Sequence, residues 1–112
     1  MNNCVNILAT NAGGIPYINS TNTTVGTETI DIAMGFRRIQ PVGYFTVRIS
    51  DVIPSDATTT LPVTLTLNGT TRQLTLPNGE NATAAELLNV GTILVWNDRF
   101  NGSLYLMSRT VV

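Results

Sequence analysis

Histidine and lysine are absent from this chain, and cysteine occurs once, at Cys4. Without histidine and with one thiol, no Ser-His-Asp triad, no Cys-His pair and no zinc site of His and Cys ligands can be assembled. A lone cysteine also forms no intrachain disulfide, so folding requires no oxidising compartment, and the apolar neighbours of Cys4 predict a small buried side chain. Charge is sparse: charged residues make up 12%, about half the usual quarter, and Thr and Asn take the polar positions instead. Six arginines stand against seven carboxylates for a net charge of -1. No broad positive field results, so neither nucleic acid nor an anionic membrane is an expected partner. No long apolar run is present. Val5 to Ala9 is too short for a membrane span or a signal-peptide core, and Met1-Asn2-Asn3-Cys4 carries no positive charge ahead of it, which predicts a chain made and kept in a cytoplasm.

What is present points to strands. With 112 residues, one domain over 1–112 fits and a second core does not. Thr10 to Thr29 is rich in Thr, Asn and Gly and broken only by Ile15-Pro16-Tyr17-Ile18. It reads as a loop or arm, giving an extended N-terminal arm over residues 1–26 and a body over 27–112. From Glu28 the pattern alternates: Ile30, Ile32 and Met34 face one way, Thr29, Asp31 and Ala33 the other. Val42 to Ser50, bracketed by Pro41 and Pro54, repeats that period with Phe45, Val47 and Ile49 inward.

Leu61 to Leu76 is a hairpin, because Asn68-Gly69 supplies the positive φ angles of a two-residue type I′ turn between alternating runs. That turn sets Leu67 opposite Thr70, Leu65 opposite Arg72, Val63 opposite Leu74 and Leu61 opposite Leu76, with six apolar side chains on one face. Arg72 falls on the same face near the tip, where it can curl to solvent or meet a carboxylate of a partner chain. Thr83-Ala84-Ala85-Glu86 has the spacing of a capping box, which places one or two helical turns before Gly91. Thr92 to Trp96 and Ser103 to Met107 then form a second hairpin across 97–102. The expected fold is all-β: a small β-sandwich or jelly-roll-like barrel of about six to eight strands, with one short helix near residues 83–89.

Few constellations carry chemistry. The carboxylates Glu28, Asp31, Asp51, Asp56, Glu80, Glu86 and Asp98 could in principle pair as in glycosidases, but none sits in a motif and most have a turn or cap to serve. Asp51 and Asp56 lack the dense alternating oxygens of a calcium loop. Gly13-Gly14 precedes Pro16 rather than a helix, so no nucleotide-binding glycine fingerprint exists. Neither enzymatic activity nor a cofactor is expected. Five N-x-[ST] triplets begin at Asn19, Asn22, Asn68, Asn81 and Asn101, a number that the Asn- and Thr-rich composition goes far to explain. Trp96 with Tyr17, Tyr44 and Tyr105 could form a stacking platform for a surface glycan, or simply pack in a core or interface. Phe36, Arg37, Arg38, Trp96, Arg99 and Phe100 are the candidate interface residues, since arginine and aromatics concentrate at interface hot spots.

The segment Leu74 to Met107, LTLPNGENATAAELLNVGTILVWNDRFNGSLYLM, resembles a layout recurring in tailed-bacteriophage virion proteins. Its parts are a strand, a turn at Gly79, a Thr-x-x-Glu-Leu-Leu helix at Thr83 to Leu88, Gly91, an apolar strand, a loop with Gly102 and a closing Leu-Tyr-Leu strand. Head-fibre, head-auxiliary and tail-fibre proteins carry such modules; this chain departs from them in having Trp96-Asn97-Asp98 where an aromatic and an Asp are often adjacent. The resemblance implies a non-enzymatic virion component, made in a host bacterial cytoplasm, that forms a dimer or trimer and docks on other virion proteins. Sparse charge and open strand edges suit a chain that associates. A carbohydrate-binding or adhesin module is the other class, and it requires an aromatic patch on one exposed face.

Overall fold

In the computed structural model, residues 9–10, 15–35, 42–98 and 101–112 are described. They form eight strands: β1 (Ala9–Thr10), β2 (Pro16–Val25), β3 (Ile30–Met34), β4 (Gly43–Arg48), β5 (Val63–Leu67), β6 (Thr70–Thr75), β7 (Val90–Asp98) and β8 (Ser103–Val111). Seven of them close into a barrel in the order β2-β3-β5-β6-β8-β7-β4, with β4 returning to β2 and β1 added on β2. Of the two expected layouts, the barrel is the one adopted. Its sheet is mixed: β2 with β4, β3 with β5 and β6 with β8 run parallel, and the other neighbours antiparallel.

The alternation in the sequence produces the interior. Ile30, Ile32 and Met34 from β3, Phe45 and Val47 from β4, and Val63, Leu65 and Leu67 from β5 are all buried in one cluster with Ile93, Val95, Leu104 and Leu106. A barrel of about this strand number has room for side chains and little else. The β5–β6 hairpin has the expected register, with Leu65 opposite Arg72 and Leu67 opposite Thr70. Its turn residues have positive φ, 51° at Asn68 and 83° at Gly69. Leu61 and Leu76, at the hairpin's open end, are partly buried against the same cluster. Arg72 takes neither expected course: its Nε donates to the carbonyl oxygen of Gly102 at 3.0 Å, tying the tip of one hairpin to the turn of the other. Partial burial lowers the guanidinium pKa from its usual value.

The expected helix near residues 83–89 is a single 3-10 turn, Ala84–Leu87. Its capping box is present: the Thr83 N–H donates to Glu86 Oε1 at 2.8 Å and the Ala85 N–H to Thr83 Oγ1 at 3.3 Å. Ala84 and Leu87 are buried, so this turn packs into the core instead of standing off it. Thr83→Ala is expected to lower stability by about 1 kcal/mol, seen as an earlier midpoint in urea denaturation.

Residues 15–26, assigned to an arm on composition, are built into the barrel. β2 pairs with β3 from Ser20 to Val25 and with β4 from Tyr17 to Asn19, and Ile18 is fully buried. Its hydroxyls extend the closure past β4. The Ser50 N–H donates to Ser20 Oγ at 2.9 Å and Ser50 Oγ to the Ser20 carbonyl at 2.6 Å. Thr23 follows, its N–H on Asp51 Oδ2 at 3.2 Å and its Oγ1 on the Asp51 carbonyl at 2.7 Å. Polar side chains thus do in β2 part of what apolar ones do elsewhere. The second hairpin is longer than expected, Val90–Asp98 with Ser103–Val111.

Candidate functional site

Outward positions of β4, β7 and β8 bring three aromatic rings into one row. Tyr44 pairs with Trp96 and Trp96 with Tyr105 across the strands, each flanked in sequence by a residue buried in the core, Phe45, Val95 or Leu104. The Tyr44 and Trp96 rings meet edge to face, with centroids 4.7 Å apart and planes inclined at 67°, a favoured aromatic geometry. Gly43 (φ +81°) opens β4, and a Cβ there would lie 3.4 Å from the Trp96 ring, so the indole rests over bare backbone. Pro77, just past the end of β6, and Met107 complete a groove of about 300 Å³. Among the described residues no charged side chain lines it, and Tyr44 remains 45%, Met107 41% and Trp96 37% exposed. Apolar aromatic surface is therefore left in water on a face whose opposite side is packed.

Of the candidate interface residues, Trp96 alone is described, and it is central to this groove. Phe36, Arg37, Arg38, Arg99 and Phe100 lie outside the described residues, as do Met1 to Leu8 of the expected arm. The stacking platform expected of Trp96 and three tyrosines forms in part: Tyr44 and Tyr105 line the groove with Trp96. Tyr17 stands opposite Thr46, one row away. Sequence patterning gives no sign of Pro77 and Met107 in the groove, because their positions follow from where β6 stops and how β8 continues.

Asp31, Asp51, Glu80, Glu86 and Asp98 have local partners. Asp31 Oδ1 accepts from Thr64 Oγ1 at 2.8 Å and from Thr66 Oγ1 at 2.7 Å, and Thr66 in turn bonds Thr71 at 2.7 Å, forming a polar rung across β3, β5 and β6. Asp98 accepts from the Asn101 backbone at 3.3 Å and side chain at 3.0 Å, and Glu80 accepts from Asn78 at 3.3 Å. Among the described residues no three His, Cys, Asp or Glu side chains cluster as metal ligands. The aromatic groove is thus the most developed candidate site, and its chemistry is that of binding.

Comparison with protein-family models, with curated proteins and with solved structures finds no match for this chain.

Proposed function

We propose that this chain is a non-enzymatic structural protein of a bacteriophage virion, of head-fibre, capsid-auxiliary or decoration type, acting through homo-oligomerisation and docking to a shell. The observation that carries the binding part is the exposed groove of Tyr44, Trp96, Tyr105, Pro77 and Met107, uncharged among the described residues, on the outer face of β4, β7 and β8. Aromatic residues are enriched at contact hot spots and charges are depleted at interface centres. The virion part is supported by the layout of Leu74 to Met107.

The expected result is a dimer or trimer of the wild-type chain by light scattering, and assembly weakened at least tenfold in Trp96→Ala, read as lost incorporation into particles. Unchanged incorporation of Trp96→Ala would remove the groove from the docking surface. Wild-type chain that stays monomeric at every concentration would overturn the homo-oligomer.

A carbohydrate-binding module is the second reading, favoured by the presence of the exposed aromatic patch that such a module requires. It expects glycan-array binding that disappears in Trp96→Ala.

A further inference from the structure

We propose that the free edge of β8 beyond Leu106 is the seam at which two copies of this chain join, one barrel's sheet continuing antiparallel into the other's. This deepens the homo-oligomer reading above and rests on it. β6 accompanies β8 only at Leu104 and Tyr105 and then leaves the sheet. β8 runs on to Val111, held by β7 alone. Among the described residues no strand or bridge meets its other edge. Among the described residues nothing pairs with the backbone N–H and C=O groups along that edge, and a strand added there gains a ladder without any rearrangement of the described barrel. The side chains of Met107 to Val111 are all exposed, and neither proline nor lysine interrupts them.

Two features of this edge select both the occupant and its register. Leu106 stands opposite Val95 and Ser108 opposite Leu94, so Met107 is the extra residue of a bulge; the ladder's second irregularity, between Val90 and Thr92, has its extra residue Gly91 on β7, so β8 itself is uninterrupted from Ser108 to Val111. Arg109 is the edge's one charge. Two identical strands related by a two-fold axis normal to the sheet keep their faces, so one residue at the centre meets itself. Centring on Arg109 would set two guanidinium groups directly opposite each other, which is unfavourable. Centring on Thr110 sets Thr110 against Thr110 of the second copy, a favourable cross-strand pair, and Arg109 against the second copy's Val111. Of the centres on this edge, Thr110 is the one that pairs the whole run from Ser108 onward without like-charge contact, and closed two-fold dimers are the commonest assemblies. The same axis places both aromatic grooves on one face of the joined sheet.

The test is disulfide trapping of the full-length chain with Cys4 replaced by serine. Residues directly opposite in an antiparallel pair have Cα atoms about 4.5–5.5 Å apart, within disulfide reach. Thr110→Cys is exposed and is expected to give a covalent dimer on mild oxidation, while Val111→Cys, which keeps Arg109 and stands opposite it in the second copy, gives at least tenfold less; circular dichroism checks that both variants fold. An oligomer by light scattering in which Thr110→Cys does not cross-link overturns the seam and leaves the homo-oligomer standing. Cross-linking through Val111→Cys alone overturns the register. Wild-type chain that is monomeric at every concentration overturns the seam together with the reading beneath it.

Discussion

Removing residues 1–25 is expected to abolish the cooperative fold. The truncation takes away β2, the strand that joins β3 to β4. Without it the ring becomes an open sheet with two new edges, the bonds from Ser20 and Thr23 to Ser50 and Asp51 disappear, and the interior loses Ile18. Small domains have only about 5–15 kcal/mol of stability to lose, and the loss of a whole core strand exceeds that. Urea denaturation followed by tryptophan fluorescence should show no sigmoidal transition. An arm laid outside the barrel would give the contrary result, a truncated chain that melts like the full one. Removal of Met1 to Leu8 alone is the version that probes docking, since it leaves β2 whole.

Phe45→Ala is expected to cost about 3–5 kcal/mol, the range for emptying a buried aromatic site. Phe45 is fully buried on β4, opposite Val95 on β7, and is among the largest fully buried side chains. The space is not easily refilled, because β4 is held by β7 from Gly43 to Arg48 and by β2 from Thr46 to Arg48 and the interior is close-packed. The neighbouring change, Tyr44→Ala, should cost less than about 1.5 kcal/mol, because Tyr44 is exposed and loses mainly its edge contact with Trp96. Thermal midpoints of the two variants measure the contrast directly. A lower midpoint for Tyr44→Ala than for Phe45→Ala would mean that the inward and outward faces of β4 are exchanged.

That contrast shows which parts of the fold are legible in the amino-acid order. Where one face is buried, alternation reveals it: the period-two spacing alone places Ile30 and Ile32, Phe45 and Val47, and the leucines of the first hairpin inward, where they are found. The turn at Asn68-Gly69 and the cap at Thr83 are equally plain, because local backbone geometry demands those residue types. β2 is hidden for a physical reason. Ile18 and Ser20 are its only buried residues, a bulge breaks its period between Ser20 and Asn22, and its exposed Thr and Asn side chains have the composition of a loop. Ring closure is hidden too, because β2 meets β4, β3 meets β5 and β6 meets β8 across long stretches of chain with nothing local to signal a parallel pair. The aromatic row is half visible. Tyr44, Trp96 and Tyr105 can be named as a set, but their alignment depends on a register across three strands, and Pro77 joins them only because β6 ends where it does.

The order of strands around the ring also sets a timetable for folding. β2 is made early and can pair with β3 as soon as both have left the ribosome, yet β3's other neighbour is β5 and the two ends of the ring meet only through β7 and β8, the last of the ring's strands in chain order. At roughly 5–20 residues per second, the N-terminal strands wait several seconds with open edges before the C-terminal hairpin can complete the circuit. Contacts between such distant parts of a chain form slowly. Synthesis of the final hairpin is therefore the event that commits the molecule to its native state, and a nascent chain stalled before residue 90 should be protease-sensitive throughout.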